Sequence, residues 1–216
     1  MSVWVVVVAA GRGTRFGAPK HLASLGGRPL VQWSLEAARG VADGVVLVLP
    51  PDDASHVEAN RGLAAGADVV VAGGETRTAS VRAGLAAVPE QAEVIVVHDG
   101  ARPLASPALF AAVVDAVMSG ADAAVPGLAV ADTLKRVERD TVTATVARDG
   151  IVAVQTPQAF RAGVLRAAHD GASEATDDAG LVESWGATVR VVPGEARNIK
   201  VTTATDLEVA RALAPS

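Results

Sequence analysis

The stretch Val3-Trp4-Val5-Val6-Val7-Val8-Ala9-Ala10-Gly11-Arg12-Gly13-Thr14-Arg15-Phe16-Gly17-Ala18-Pro19-Lys20 decides how this chain is read. An apolar run from Val3 to Ala10 passes straight into a loop rich in glycine and cations. The run has no polar alternation, the pattern of a strand covered on both faces. It is far shorter than the ~20 apolar residues that span a bilayer. No basic residue precedes it, and Gly11-Arg12-Gly13 follows where a signal peptide would carry its small-residue cleavage site. A buried strand is expected, and with it no membrane segment and a cytoplasmic location. In open α/β sheets ligands bind at the carboxyl ends of strands. Glycines there let backbone N–H groups approach an anion, and Arg15 and Lys20 add positive charge, which suits a polyphosphate.

The rest of the chain repeats the strand-then-helix rhythm. Apolar runs at Val45–Leu49, Asp68–Ala72, Val94–His98 and Ala123–Pro126 alternate with expected helices at Pro29–Arg39, Ala54–Ala65, Thr78–Val88 and Ser106–Ser119. Pro29 suits the first helical position and Ser106 an N-cap. This order predicts an α/β fold with a Rossmann-like, mostly parallel sheet, helices on both faces and right-handed crossovers. After Leu128 the pattern changes. Leu134–Val137 and Thr141–Ala147 read as two strands joined by Glu138-Arg139-Asp140, and Asp149-Gly150 signals a tight turn before Ile151–Gln155. We read an antiparallel β-arm, at about residues 132–155, inserted into a single domain over residues 1–216. A thin arm cannot bury its apolar face alone, so a homodimer built through it is expected. Helices at Arg161–His169, Asp177–Trp185 and Thr205–Leu213 and a strand at Thr188–Val192 complete the outline.

Composition narrows the function. Of the 216 residues half are hydrophobic and a fifth charged, enough to bury a sizeable core. The chain has no cysteine, which excludes disulfides, a thiol nucleophile and cysteine-based metal sites. A net charge of −5, with 3% aromatic residues, argues against a nucleic-acid surface. The loop is not a P-loop, because G-x-x-x-x-G-K-[ST] does not occur. It is not a dinucleotide fingerprint either. Gly11-x-Gly13-x-x-x-Gly17 is one residue too long, and no acidic residue closes the second strand, so an NAD-dependent oxidoreductase fails. A plain glycine-rich connection with solvated cations is the bland alternative.

Here the sequence resembles a known family. Ala9-Ala10-Gly11-x-Gly13-x-Arg15, Pro19-Lys20 and Leu25-x-Gly27-x-Pro29-Leu30 resemble the opening signature of the sugar nucleotidyltransferases. Five further strings narrow the likeness: Gly73-Gly74-Glu75-x-Arg77-x-x-Ser80-Val81, His98-Asp99-Gly100-Ala101-Arg102-Pro103, Ala131-Asp132-Thr133-Leu134-Lys135, Gln155-Thr156-Pro157-Gln158-x-Phe160 and Asn198-Ile199-Lys200-Val201-Thr202. Together they resemble the 2-C-methyl-D-erythritol 4-phosphate cytidylyltransferases of non-mevalonate isoprenoid biosynthesis, nearly end to end and in motif order.

The resemblance implies cytidylyl transfer from CTP to a small polyol phosphate, with Mg²⁺ or another divalent cation. It implies Arg15, Lys20, Arg148 and Lys200 as catalytic residues. It implies Ala9, Ala10, Gly11, Gly13, Gly74, Ser80 and Asp99 as the nucleotide site, and Asp99, Arg102, Thr133, Arg148 and Lys200 as the acceptor site. Asp99 is its candidate metal ligand, and Thr133 and Arg148 would reach a neighbouring subunit's site. The residues themselves agree with this chemistry, because a phosphate monoester is largely a dianion at pH 7 and needs no general base. His98 reads as a packed strand-end histidine, and His21, His56 and His169 join no constellation. Arg77 reads equally well as a solvated helix residue and stays outside the candidate site. Two alternatives remain: a ribitol 5-phosphate cytidylyltransferase, which would share the nucleotide half, and a non-catalytic nucleotide-binding module, which would be expected to have lost Arg15, Lys20 or Lys200.

Overall fold

The structure, a computed structural model, describes residues 2–11, 13, 16, 20–56, 62–171 and 175–215. In chain order its first elements are β1 (Val3–Val8), β2 (Ser24–Leu25), β3 (Arg28–Pro29), α1 (Leu30–Arg39), β4 (Gly44–Leu49), α2 (Pro51–Ser55) and β5 (Val69–Ala72). Then come α3 (Arg77–Ala86), β6 (Val94–Asp99), α4 (Pro107–Met118), β7 (Ala123–Ala129), β8 (Leu134–Glu138) and β9 (Thr141–Val146). The last are β10 (Val152–Val154), β11 (Gln158–Arg161), α5 (Ala162–His169), α6 (Asp178–Ser184), β12 (Val189–Pro193) and α7 (Ala204–Leu213).

Among the described residues the main sheet has eight strands. β1 runs parallel to β4 on one side and β6 on the other, and β5 pairs with β4. Beyond β6 lies β11, antiparallel to both β6 and β7, and β7 pairs in parallel with β12. The chain fills the sheet outward from β1 through β4 to β5, then crosses back to β6. The strand order therefore reverses between β1 and β6, where crevices open at strand ends in such sheets.

The uninterrupted apolar runs have a direct cause. Val3, Val5 and Val7 of β1 pack with α1 and α4 on one face, and Val6 packs with α3 and α5 on the other. β4 and β6 divide in the same way, with Val45, Leu47, Val94 and Val96 on the first face and Val46, Val48, Ile95 and Val97 on the second. Each such side chain, fully buried, contributes about 1.5–3 kcal/mol against exposure. The carboxyl ends of β1 and β6 thus project from a rigid base. A third apolar cluster joins Leu25, Leu30 and Leu104 to Val201 and to Leu207 and Ala210 of α7. Thr203 and Asp206 form a capping box that starts α7.

Several elements differ from the sequence reading. The reversed strand β11 was not expected, because Gln158-Ala159-Phe160-Arg161 is short and lacks β-branched residues. Pairing on both edges with β6 and β7 overrides that weak propensity. The expected helix at 54–65 is instead α2, opened by Pro51 with Asp52 and Asp53 in its first turn. Residues 62–66 form turns, Gly66 having φ +98°, and 57–61 lie outside the described residues. Pro29 is the N-cap of α1 rather than its first residue, whereas Ser106 caps α4 as expected, accepting from the Leu109 N–H at 3.0 Å. The segment Asn198–Thr202 lies outside any strand, and the Asn198 and Ile199 N–H groups turn back to the Glu195 and Arg197 carbonyls.

The arm is present. β8 and β9 form a sheet of their own, turning through Arg139 and Asp140, both at positive φ. β10 returns to pair with β7. Val137 and Val142, cross-strand partners on the arm, are both more than half exposed.

Candidate active site

Three chain segments meet at the carboxyl edge of the sheet. Ala9 and Ala10 leave β1, Gly73 and Gly74 leave β5, and Ser80 lies in the first turns of α3. Gly73 is needed for this approach, since a Cβ there would sit 2.3 Å from the Ala10 Cβ and 2.8 Å from the Ser80 Oγ. Ser80 is buried, and its hydroxyl donates to the Thr76 carbonyl at 2.9 Å. The Ala9 N–H is used on the Val48 carbonyl at 2.8 Å. Gly11 is exposed and Gly13 has φ +63°, a conformation glycine adopts without strain. Lys20, half-buried, opens a short 3₁₀ turn over Lys20–Leu22. Arg15 lies outside the described residues.

Asp99 ends β6, in register with Val8 of β1, and is the anion around which the cations gather. The Lys200 Nζ donates to its Oδ2 at 2.6 Å, and the Arg77 Nε donates to its Oδ1 at 3.3 Å. Burial alone would raise the Asp99 carboxyl, but Arg77, then Lys200 and Arg102, outweigh it and hold the group well below the usual carboxylate range. Arg102 shows the opposite balance. Its own burial outweighs the attraction of Asp99, so its guanidinium holds its proton less firmly than usual.

Hydrogen bonds behind the carboxylate fix the segments that carry these groups. The Asp99 N–H donates to the Thr156 Oγ1 at 3.0 Å, 3.2 Å from the His98 Nδ1. The His98 Nε2 lies 3.2 Å from the Arg102 carbonyl, which can only accept, so this nitrogen carries the proton and the Thr156 hydroxyl donates to Nδ1. The Arg102 side chain donates to the Asn198 carbonyl at 2.8 Å. Asn198, fully buried, donates to the Thr156 carbonyl at 2.9 Å, and Gln155 donates to the carbonyls of Glu195 and Asn198. Val201 is buried in the third apolar cluster and its N–H reaches the Ala101 carbonyl at 2.8 Å. Ile199 packs on the same cluster, so Lys200 between them turns to Asp99. The alternation read from the sequence holds although the segment is not a strand.

Thr133 and Arg148 stand apart from this cluster, exposed on the arm and its return. Arg148 donates to the carbonyls of Val130 and Ala131 within its own arm. The sequence reading missed Arg77, Gln155, Thr156 and Asn198. Arg77 is not a solvated helix residue. It pairs with Asp99 and, at 2.8 Å, with Asp178. A cavity of about 900 Å³ between α3 and α5, lined by Arg82, Arg166 and His169 among others, contains none of the expected site residues.

Comparison with known proteins shows the family. Residues 3–215 match the family model for 2-C-methyl-D-erythritol 4-phosphate cytidylyltransferase. The chain belongs to this family. It is 46% identical over 217 residues to the cytidylyltransferase of that name from Rhodococcus opacus, covering 98% of this chain and 94% of the relative. It is 44% identical to a bifunctional IspD/IspF enzyme from Solidesulfovibrio magneticus, of whose length it spans 58%, a little over half. The crystal structure of the cytidylyltransferase from Thermus thermophilus superposes with a TM-score of 0.82 at 40% identity, covering 99% of this chain and 98% of that one. The fold of the family is thus the α/β architecture expected from the sequence.

A divalent cation on this site would find one carboxylate, Asp99. Among the described residues no three histidines or carboxylates gather to hold a metal. That donor set fits Mg²⁺ brought in on a polyphosphate, which takes one or two protein carboxylates and keeps waters and phosphate oxygens as its other ligands. It does not fit a resident structural ion.

Burial lowers the His98 imidazole to about 4, although Asp99 and the bond to the Arg102 carbonyl favour its charge. His98 is therefore neutral at pH 7 with both ring nitrogens occupied, which removes it as a general base. Because its folded value lies below the unfolded one, its contribution to stability is fully present above pH ~6.5. That contribution is lost as the pH falls toward 4, and is on the order of 3 kcal/mol. The NMR resonances of the His98 ring are expected to keep neutral-form shifts down to about pH 5, and ordinary titration near 6.5 would contradict the buried network.

Proposed function

We propose that this chain transfers the cytidylyl group of CTP to 2-C-methyl-D-erythritol 4-phosphate, releasing pyrophosphate and 4-diphosphocytidyl-2-C-methyl-D-erythritol. The observation that carries the proposal is the gathering of Lys200 and Arg77 on Asp99, where β6 and β1 end side by side. Family membership supports both substrates.

The chemistry follows from charge. An oxygen of the acceptor phosphate, already ionised at pH 7, attacks the α-phosphorus of CTP. A new P–O bond forms, the bond from the α-phosphorus to the bridging oxygen breaks, and pyrophosphate leaves with that electron pair. The difficulty is to hold two anions together and to neutralise charge that builds on the phosphorus oxygens. In this reading Lys20 and Arg15 serve the triphosphate, the former as a compact point charge and the latter as a planar fork of donors. Backbone at Ala9, Ala10, Gly11, Gly13 and Gly74, with Ser80 behind it, shapes the nucleotide pocket. Lys200 and Arg102 receive the acceptor phosphate and its hydroxyls, and Asp99 holds Lys200 in place. Asp99 would hold a divalent cation, which when bound would supply further screening of the triphosphate charge.

The exposed valines and cations of the arm support a homodimer. In it Thr133 and Arg148 of one protomer complete the acceptor pocket of the other, and Val137 and Val142 are covered. We place the enzyme in the cytoplasm. No described helix is long and apolar enough to cross a membrane.

Purified protein with Mg²⁺ is expected to release pyrophosphate from CTP with 2-C-methyl-D-erythritol 4-phosphate and not with ribitol 5-phosphate, and Lys20→Ala is expected to cut that rate by about 10²–10³ with the fold intact. Faster release with ribitol 5-phosphate would reassign the acceptor, and near-normal turnover by the folded Lys20→Ala protein would remove its role. A second experiment addresses the shared site: mixing inactive Arg148→Ala and inactive Lys20→Ala subunits is expected to restore part of the activity. Confirmed heterodimers without recovery would show that each site is built from one chain.

A further inference from the structure

Arg77 occupies the first residue of α3, where a cation is disfavoured by the partial positive charge of the helix N-terminus. What holds it there is a pair of carboxylates. Its Nε donates to the Asp99 Oδ1 at 3.3 Å, and its terminal nitrogen pairs with the Asp178 Oδ2 at 2.8 Å. Asp178, with a side chain only 1% exposed, opens α6, and its other oxygen lies 3.0 Å from the Nε2 of His169, the last residue of α5. Four elements, β6, α3, α5 and α6, are tied together by one guanidinium and the two carboxylates it joins.

We propose that Arg77 is a positioning residue for the transfer, holding the Asp99 carboxylate by Oδ1 so that Oδ2 stays turned to Lys200. The role rests on the reaction proposed above. A lone carboxylate at a strand end rotates freely about its side-chain torsions, and one ion pair to the long, partly exposed Lys200 does not fix both oxygens. The planar fork of an arginine spans two carboxylates at a set angle, which the single ammonium of a lysine cannot do. Asp178 is the fixed end of this tie. It is buried and held by His169 of α5, so it ties the placement of α5 and α6 to Asp99.

Two variants test the role. Arg77→Met/Asp178→Asn removes both charges together and leaves neither buried alone, and Arg77→Lys keeps a charge that reaches one carboxylate only. Two readouts are taken from each: the Lys200–Asp99 contact in a crystal structure of the unliganded variant, and KM for CTP and for the acceptor measured separately. In the double variant the 2.6 Å contact is expected to open beyond hydrogen-bond range. KM for the acceptor is expected to rise about tenfold while that for CTP stays within about twofold, with Arg77→Lys in between. An unchanged contact overturns the proposal, whether KM moves or not, because Arg77 would then act elsewhere. A lost contact with unchanged KM overturns it also. If the unaltered chain releases no pyrophosphate, the transfer reading fails and the crystallographic contact alone decides whether Arg77 positions Asp99.

Discussion

A single buried carboxylate organises the carboxyl edge of this sheet. Asp99 sits where β6 ends beside β1, at the reversal of strand order, and is out of water. An ionised group so placed is costly unless partners compensate it. Here the compensation comes from Lys200 on the C-terminal segment and Arg77 on α3, with Arg102 adding to the field. Lys200 and Arg77 are distant from Asp99 in sequence, 101 and 22 residues away, and meet on its two oxygens. The anion draws in the cations, and in the proposed transfer their remaining donors serve the phosphorylated ligands.

Most of the scaffold lies between this carboxylate and the apolar layers. The paired valines of β1, β4 and β6 are covered by helices on both faces, which keeps the strand ends from moving independently. The Gln155–Thr156–Asn198 hydrogen bonds hold the C-terminal segment against the residues between β10 and β11, and the Arg102–Asn198 and Val201–Ala101 bonds hold it against the loop after β6. His98, though beside Asp99, takes no part in proton transfer in this account. It is a buried strut whose two ring nitrogens link Thr156 to the Arg102 carbonyl. A chemistry that starts from an ionised phosphate has no need of it as a base.

Much of this was legible in the sequence because it depends on local pattern. Strands β1, β4, β5, β6 and β7 follow from unbroken apolar runs, and Ser106 marks the start of α4 through capping chemistry. Lys200 could be read as turned away from Ile199 and Val201 from their alternation alone. β11 could not be read, because its two neighbouring strands, and not its own residues, make it a strand. Arg77 was missed for a related reason. A cation near the start of a helix reads as solvated, and only the approach of Asp99 and Asp178, 22 residues away in one case and far along the chain in the other, reveals it as half-buried and paired. Gln155, Thr156 and Asn198 stand in strings quoted for the resemblance, but their types gave them no role, since their partners lie 40 to 58 residues away in the chain.

The most direct test of the account is a crystal structure of the protein with CTP and Mg²⁺. The triphosphate is expected between the loop after β1 and the Asp99–Lys200 pair, with Lys20 on its oxygens. A triphosphate lodged elsewhere, such as the cavity between α3 and α5 beside Arg82 and Arg166, with Asp99 and Lys200 untouched, would contradict it.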